Sequence, residues 1–557
     1  MRQRLRRLRE PRYVIGAIVG FGYLAGSLLF RFRAFGGGGG RQSSAGRAAA
    51  ASTLGLMGPV MGAVLLAFAL LGIWALPMRS GLLEFSKAET AFLFPSPMSR
   101  RQLVFYRLMR SQFAVFAGAL IMSLAYPTGS VFARTRWLVG IWILLMTSHV
   151  FFTGVTLARV QFRGRGGTAR FAWPALALPA AAVLSVLVPV FTQSRHASID
   201  TISDALNLLM TIAEHGPARV LLRPFALLVQ PVFAQTVGEF AWSVAGALLV
   251  YAVAVAWLIW ADSLSVDAAD ASVERQVNQP TNKRRAYVAR PVAWRLGISG
   301  RPELAFVWKA ALQTLRAVDR RMLVRVLLIG AWMVGASLLV TRARGLVQLF
   351  GVLATWGALF SLFMAPQMIR MDMRQDLAAL ELLKTWPVRG ASVIRGEIIW
   401  PVIVVTSITW AFAASATVLS MVSGSPIPYA NRAAAWVSFL ILIPGIVLAQ
   451  YTIHNAVAVI FPGWVPLGAM RPRGVDAVGQ RLVLLAANWL GLLVALAPGV
   501  AMTFVLSLLL RPILGRLFLP VGALVTTITV VVEMVLVTTA LGPVFERLDI
   551  TSVERPD

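Results

Sequence analysis

Hydrophobic residues fall into long continuous runs along this chain, and short polar segments rich in arginine separate the runs. A run of about 20 apolar residues forms a helix long enough to cross a bilayer. Candidate spans in the first part are Val14–Phe30, Leu54–Leu76, Phe113–Tyr126, Trp137–Leu157, Phe171–Phe191 and Val237–Ala261. Those in the second part are Met322–Val340, Leu346–Ala365, Ile398–Val422, Ala433–Phe461, Leu482–Leu510 and Leu519–Leu541. The pattern predicts an all-α, polytopic integral membrane protein of about 12 transmembrane helices.

A long polar stretch, residues 262–321, divides these spans into two tandem six-helix halves. Its first part combines low hydrophobicity with dense charge, which is typical of a flexible linker. From Pro302 the apolar residues recur with a helical period, at Leu304, Phe306, Val307, Ala311, Leu312 and Leu315. That period suits a helix lying in the membrane interface. We therefore expect a first transmembrane half at 1–261, a cytoplasmic linker at 262–301, and a second half at 302–557 that opens with an interfacial helix at 302–321.

The composition supports the membrane assignment and narrows the chemistry. Hydrophobic residues make up 58% of the chain and charged residues 13%, which does not describe a soluble domain. The absence of cysteine excludes disulfides and thiol catalysis. The net charge of +29 does not indicate nucleic-acid binding, because the sequence predicts no folded, water-facing domain to carry such a site. It fits positively charged cytoplasmic loops and contact with anionic membrane lipids.

The distribution of arginine and lysine predicts the orientation, because short cytoplasmic loops retain positive charge during insertion. Most of the basic residues fall on the cytoplasmic side when the N-terminus is placed inside. The first apolar run has full membrane length and is followed by Arg31 and Arg33, so we expect an uncleaved first span. The sequence predicts a multi-pass protein of the cytoplasmic membrane with both termini in the cytoplasm.

Two stretches at corresponding places in the halves resemble each other, Glu89–Arg110 and Ala379–Trp400, and they mark the polar segments 84–112 and 372–397. Each carries an amphipathic helical turn, then a proline, then basic residues, then a new apolar run. The residues of interest in the first segment are Phe92, Leu93, Phe94, Pro97, Ser99, Arg100 and Arg101. Those in the second are Leu380, Leu383, Lys384, Trp386, Pro387 and Arg389. Basic amphipathic loops also serve as simple interfacial anchors, but an anchor needs no twin at the same place in both halves.

Ionisable and polar residues inside the apolar runs are a second place for chemistry, because burying such a group in the bilayer costs about 2.5–3.5 kcal/mol. Glu533 lies near the middle of the last run. It is a candidate proton or cationic-substrate site, or else a protonated carboxyl that bonds a neighbouring helix. His454 and Asn455 form a second polar spot, for which a packed hydrogen bond is the simpler explanation.

Motifs for enzymatic chemistry and for metal binding are missing from the sequence. A phosphate-binding loop needs a Gly-Lys pair, and no glycine precedes any lysine of the chain: Lys87, Lys283, Lys309 or Lys384. The histidines are dispersed without metal-ligand spacing, and there is no G-x-S-x-G motif. We expect no catalytic residue, no metal and no cofactor in this chain.

Four sequence segments resemble the permeases of the ABC-type-two exporter superfamily, and within it a bacterial ABC exporter family. They are REPRYVIG at the start, AETAFLFPSPMSRRQLVFYR after the second predicted span, PELAFVWK before the seventh, and ELLKTWPVRGASVIRGEI after the eighth. The resemblance follows the order of elements over nearly the whole chain.

That resemblance implies a transport subunit without enzymatic activity, served by a separate ABC ATPase that carries ATP and Mg. Segments 84–112 and 372–397 would be coupling helices that seat two ATPase copies, through the residues named above. A single chain would suffice for the pathway, with a homodimer left open. The alternatives are an ion-coupled secondary transporter that uses Glu533 and, less favoured, a membrane-embedded enzyme.

Overall fold

The computed structural model of the protein describes residues 44–75, 102, 109, 112, 115, 116, 118–120, 122, 123, 131–163, 173–194, 199–277, 296, 297, 300–317, 343–422, 427–462 and 475–548. These residues form helices and the turns between them, and no strand occurs among them. The predicted all-α class is therefore confirmed.

In the first half the helices are α1 (Ser44–Ala75), α2 (Val131–Arg163), α3 (Trp173–Gln193), α4 (Ile202–Glu214), α5 (Gly216–Phe233) and α6 (Val237–Val277). The second half begins with α7 (Pro302–Ala317) and α8 (Arg344–Met368), followed by the short helices α9 (Met373–Asp376) and α10 (Leu380–Lys384) around a 3₁₀ turn, Leu377–Ala379. The long helices α11 (Gly390–Val422), α12 (Tyr429–Ile460), α13 (Val475–Leu514) and α14 (Phe518–Arg547) complete it.

Seven segments of the described residues are long and apolar enough to cross a membrane: Val131–Val155, Leu176–Gln193, Val237–Trp260, Arg344–Asp376, Gly390–Val422, Tyr429–Ile460 and Ala487–Arg547. The last of these contains two packed helices, α13 and α14, and at about 1.5 Å per residue it is far longer than one crossing requires. The apolar stretch Met57–Gly72 of α1 is shorter than the length of a full span. The chain is thus a polytopic helical membrane protein.

Some predicted spans cannot be compared with the structure. Val14–Phe30 and Met322–Val340 lie outside the described residues, and Phe113–Tyr126 is described only at single positions. The count of about 12 spans stays a prediction.

The turn between α13 and α14 lies where the sequence breaks between two predicted spans. Gly515 has φ +53°, in the left-handed region that glycine occupies without steric cost. Hydroxyls then join the two helices: Thr503 Oγ1 donates to Gly522 O at 2.9 Å and Thr526 Oγ1 donates to Gly499 O at 3.3 Å. This hairpin packs against α12 along the length of α14.

The first half is organised around α5, which packs against α1, α2 and α6. Small residues on the neighbouring helices allow the close approach: a Cβ on Gly62 of α1 would lie 2.5 Å from Val229 of α5, and a Cβ on Gly140 of α2 would lie 2.7 Å from Val232. Glycines at helix contacts are a usual device in membrane bundles, because they let the backbones pack.

The core of the second half lies where α8, α11, α12 and α14 meet, around buried Leu362, Ile398, Val447 and Leu541. Helix α7 packs onto α11 through buried Phe306. Leu304 and Leu315 of α7, which the sequence groups with the apolar face, are exposed instead. Whether α7 lies in the membrane interface stays a prediction.

Helix boundaries extend beyond the apolar runs. Helix α6 continues to Val277, so residues 262–277 of the predicted flexible linker are helical. Helix α11 begins at Gly390, before the predicted start at Ile398. Apolar runs mark the part of a helix that contacts lipid or core, whereas backbone hydrogen bonding continues into polar turns. Helices α4 and α5 have no counterpart among the predicted spans.

Candidate functional site at the elbow between α8 and α11

The second of the twinned segments is a compact polar turn that joins α8 to α11. We call residues 369–389 the elbow; it contains α9, the 3₁₀ turn and α10. Asp372 caps α9 by accepting a hydrogen bond from Arg374 N at 3.1 Å. After α10, Pro387 removes a backbone donor and the chain turns into α11, in which Ser392 N and Val393 N donate to Arg389 O.

A buried ion pair holds the start of the elbow. Arg374 Nε donates to both carboxylate oxygens of Asp372, at 2.8 and 2.9 Å, and Arg374 Nη2 donates to Pro366 O on α8 at 3.0 Å. Both side chains are buried. Loss of either partner would leave a buried charge unpaired, at a cost of about 3–5 kcal/mol.

Helix α12 holds the same turn through a polar pair. Asn455 Oδ1 accepts from Met373 N at 2.9 Å, and Asn455 Nδ2 donates to Tyr451 O at 2.7 Å. Tyr451 Oη donates to Ile369 O at 3.1 Å. Asn455, named from the sequence as a polar spot, therefore satisfies a backbone amide of the elbow.

His454 lies beside this pair and is half-buried. Its ring packs edge-on against Tyr451, with 6.4 Å between the ring centroids. Among the described residues its Nδ1 finds no hydrogen-bond partner. The two neighbouring residues therefore make different contacts: Asn455 is hydrogen-bonded to the elbow, and His454 packs against an aromatic ring.

Lys309 of α7 reaches the elbow from the side. Its Nζ donates to the carboxylate of Asp376 and, at 2.5 Å, to Glu397 Oε1 on α11. Burial opposes the charge on Lys309, but the carboxylates of Glu397 and Asp376 outweigh burial and raise the Lys309 pKa. The Glu397 side chain, near the start of a predicted span, is 1% exposed and is paired with Lys309.

The far end of the elbow is joined to the end of the last helix. Lys384 Nζ donates to the carbonyl oxygens of Leu548 and Glu546, where α14 has unpaired acceptors. In return Glu546 Oε1 accepts from Gly390 N at 2.8 Å, at the positive start of α11. The elbow is therefore bonded to α7, α8, α11, α12 and α14.

The residues predicted to dock a partner divide into two groups. Leu380 and Leu383 are 3% and 7% exposed and pack into the core of the second half. Trp386 is 40% exposed and Pro387 and Arg389 are also exposed. Leu382, which the sequence interpretation left out, is 59% exposed and gives the elbow an apolar outer surface. Its position beside Leu380 and Leu383 in an amphipathic turn was the available signal.

The residues predicted in the first twinned segment lie outside the described part of the chain: Phe92, Leu93, Phe94, Pro97, Ser99, Arg100 and Arg101. Their docking role stays a prediction.

Glu533 lies in the middle of α14, beside the cluster that contains Leu492, Val530 and Met534. Its side chain is half-exposed. Within the described part of the chain, no hydrogen bond reaches its carboxylate, and no group of His, Asp and Glu residues is arranged to hold a metal ion.

The chain matches no protein-family model, no curated protein and no solved structure in the comparisons made. The fold and the site define a polytopic α-helical membrane protein with a hydrogen-bonded polar elbow between α8 and α11.

Proposed function

We propose that the chain is the membrane-spanning permease subunit of an ATP-binding-cassette exporter of the cytoplasmic membrane. A separate ATPase, in two copies, supplies the energy and carries ATP and Mg. The ATPase seats on the elbow and on the twin segment 84–112, both in the cytoplasm together with the two termini. Motif resemblance supports this proposal, and so does the construction of the elbow.

One observation carries the proposal: the elbow exposes apolar side chains outward while its underside is bonded to five helices. Leu382 and Trp386 form the outer surface, and Trp386 packs on Phe306 of α7, with 5.5 Å between ring centroids. A surface that only anchors a loop needs no such bonding. A surface that a partner displaces needs such bonding, because the bonds make the attached helices move together with the elbow.

The contact surface is accordingly Leu382, Trp386, Pro387 and Arg389. Leu380 and Leu383 support it from the core, and Lys384 holds it to α14. Truncating a buried aromatic anchor at an interface typically costs more than 1 kcal/mol, often 2 or more.

Copurification of the chain with its proposed ABC ATPase partner tests the proposal. Trp386→Ala should weaken capture of the ATPase about tenfold or more, since about 1.4 kcal/mol corresponds to a factor of ten. Trp356→Ala is the matched control, because Trp356 is 67% exposed on α8 and lies outside the elbow. Equal capture by the two variants would remove the elbow as the docking surface.

A second candidate function is ion-coupled transport through Glu533, favoured by its half-exposed carboxylate in the middle of α14. It requires transport driven by an ion gradient in proteoliposomes without ATP. Glu533→Gln should abolish that transport, whereas ATP-driven export should not depend on the Glu533 carboxylate.

A further inference from the structure

Helix α8 connects two places in the molecule that belong to different halves. Its C-terminal end enters the elbow, where Pro366 O accepts from Arg374 and Ile369 O accepts from Tyr451. Its N-terminal end, which we call the joint, contacts the segment leading into α4 of the first half. At about 1.5 Å per residue, the helix separates these ends by roughly 36 Å.

The joint is a close backbone contact. Gly345 N donates to Ile199 O at 2.8 Å, which satisfies a donor at the start of α8 that has no partner within the helix. Ala343 and Leu346 are buried in one cluster with Ile199 and Ala205. A Cβ at position 345 would lie 2.6 Å from the carbonyl carbon of Thr201, so only glycine fits here without moving backbone.

The partner in the joint is the hydrogen-bonded start of α4. Thr201 and Asp204 form a capping box at the start of α4, in which Asp204 N donates to Thr201 Oγ1 at 3.2 Å. Hydrogen bonds from Thr201 to the Asp204 carboxylate lower the pKa of Asp204. Helix α4 leads through Gly216, with φ +59°, directly into α5.

Helix α5 then lies within the first bundle, against α1, α2 and α6. A displacement of the elbow along α8 would therefore reach the interior of the other half through one continuous set of packed elements. The described residues of the halves also meet mainly at this joint, between α4 and α8.

We infer that α8 is a rigid strut that carries movement of the elbow across the membrane to the α4–α5 hairpin of the first half. This inference rests on the proposed function, because the ATPase supplies the movement. The joint at Gly345 is the point where the movement passes from one half to the other.

Because the chain contains no cysteine, spin labels attach only to cysteines introduced at chosen positions. Cysteines introduced at Ser203 on α4 and Trp242 on α6, both exposed in the first half, carry spin labels on the chain bound to its ATPase in lipid nanodiscs. Addition of ATP with orthovanadate should shift the mean distance between the labels beyond the width of the nucleotide-free distribution. Gly345→Ala should abolish this shift while ATP hydrolysis continues.

Gly351→Ala is the matched control on the same helix, because a Cβ there meets only ordinary contact, 3.5 Å from Leu419. It should retain the shift. A shift that persists in Gly345→Ala would overturn the inference. If Gly345→Ala does not assemble, the labelled protein with Gly345 intact still tests the inference. ATP hydrolysis without any change in the distance between its labels would overturn it. Failure of the ATPase to bind the elbow at all is a different result, which refutes the proposed function.

Discussion

At the scale of single residues, the charged groups around the elbow matter most because they are paired with one another. Lys309 is the shared counter-charge of Glu397 and Asp376, and Glu397 is buried in the second half. A carboxylate in that position has no access to water that could replace the ammonium group.

Lys309→Met should lower stability by about 3 kcal/mol, because it leaves Glu397 buried without its partner. Thermal unfolding in detergent measures this as a lower midpoint. Adding Glu397→Gln should restore most of the loss, since the amide needs no counter-charge. Lys384→Met serves as a control. Lys384 is exposed and donates only to carbonyl oxygens, so this substitution should lower the unfolding midpoint by less. A midpoint for Lys309→Met no lower than that of Lys384→Met would contradict the paired-charge interpretation.

Residue patterns revealed part of the site. Leu380, Leu383 and Trp386 were visible as an amphipathic turn before a proline, but sequence alone did not distinguish the buried leucines from exposed Leu382. Asp376, Glu397 and Lys309 come from three separate parts of the chain. No local periodicity brings such residues together, because their contact depends on how α7 and α11 pack.

At the scale of elements, close packing against glycine organises the first half. Val229 of α5 lies where a Cβ on Gly62 would be, and the close approach of α1 and α5 depends on that missing atom. Gly72 lies further along α1, and a Cβ there would have no neighbour within 4 Å.

Gly62→Leu should destabilise the protein by about 1–3 kcal/mol, the usual cost of forcing extra carbon atoms into a packed contact. Gly72→Leu should leave the unfolding midpoint nearly unchanged. The pair is compared by thermal unfolding of purified protein in the same detergent. Similar midpoints for both would mean that α5 does not pack on α1 as the structure shows.

Elements were predictable where hydrophobicity alone defines them. The runs at 398–422, 433–461 and 519–541 became α11, α12 and α14, because about 20 apolar residues in sequence have few other stable states. Helices α4 and α5 were not predicted, since α4 is amphipathic and only 13 residues long. Its capping pair, Thr201 and Asp204, was a readable start signal.

At the scale of the whole molecule, α8 links the elbow, within the second half, to the joint with α4 of the first half. The elbow lies at one end of α8 and the joint at the other, so a partner that moves one end acts on both halves. This arrangement suits a permease worked by an external ATPase. It requires that the elbow face the compartment that contains ATP.

Labelling of Leu382→Cys with a membrane-impermeant maleimide tests that requirement most directly, because the chain has no other thiol. Ile427→Cys, an exposed position at the opposite end of α11, is the matched control. Our account predicts that Cys at 382 reacts in inside-out vesicles and not in right-side-out vesicles, that the control shows the reverse, and that bound ATPase slows labelling at 382. Reaction at 382 in right-side-out vesicles would place the elbow outside and contradict the account.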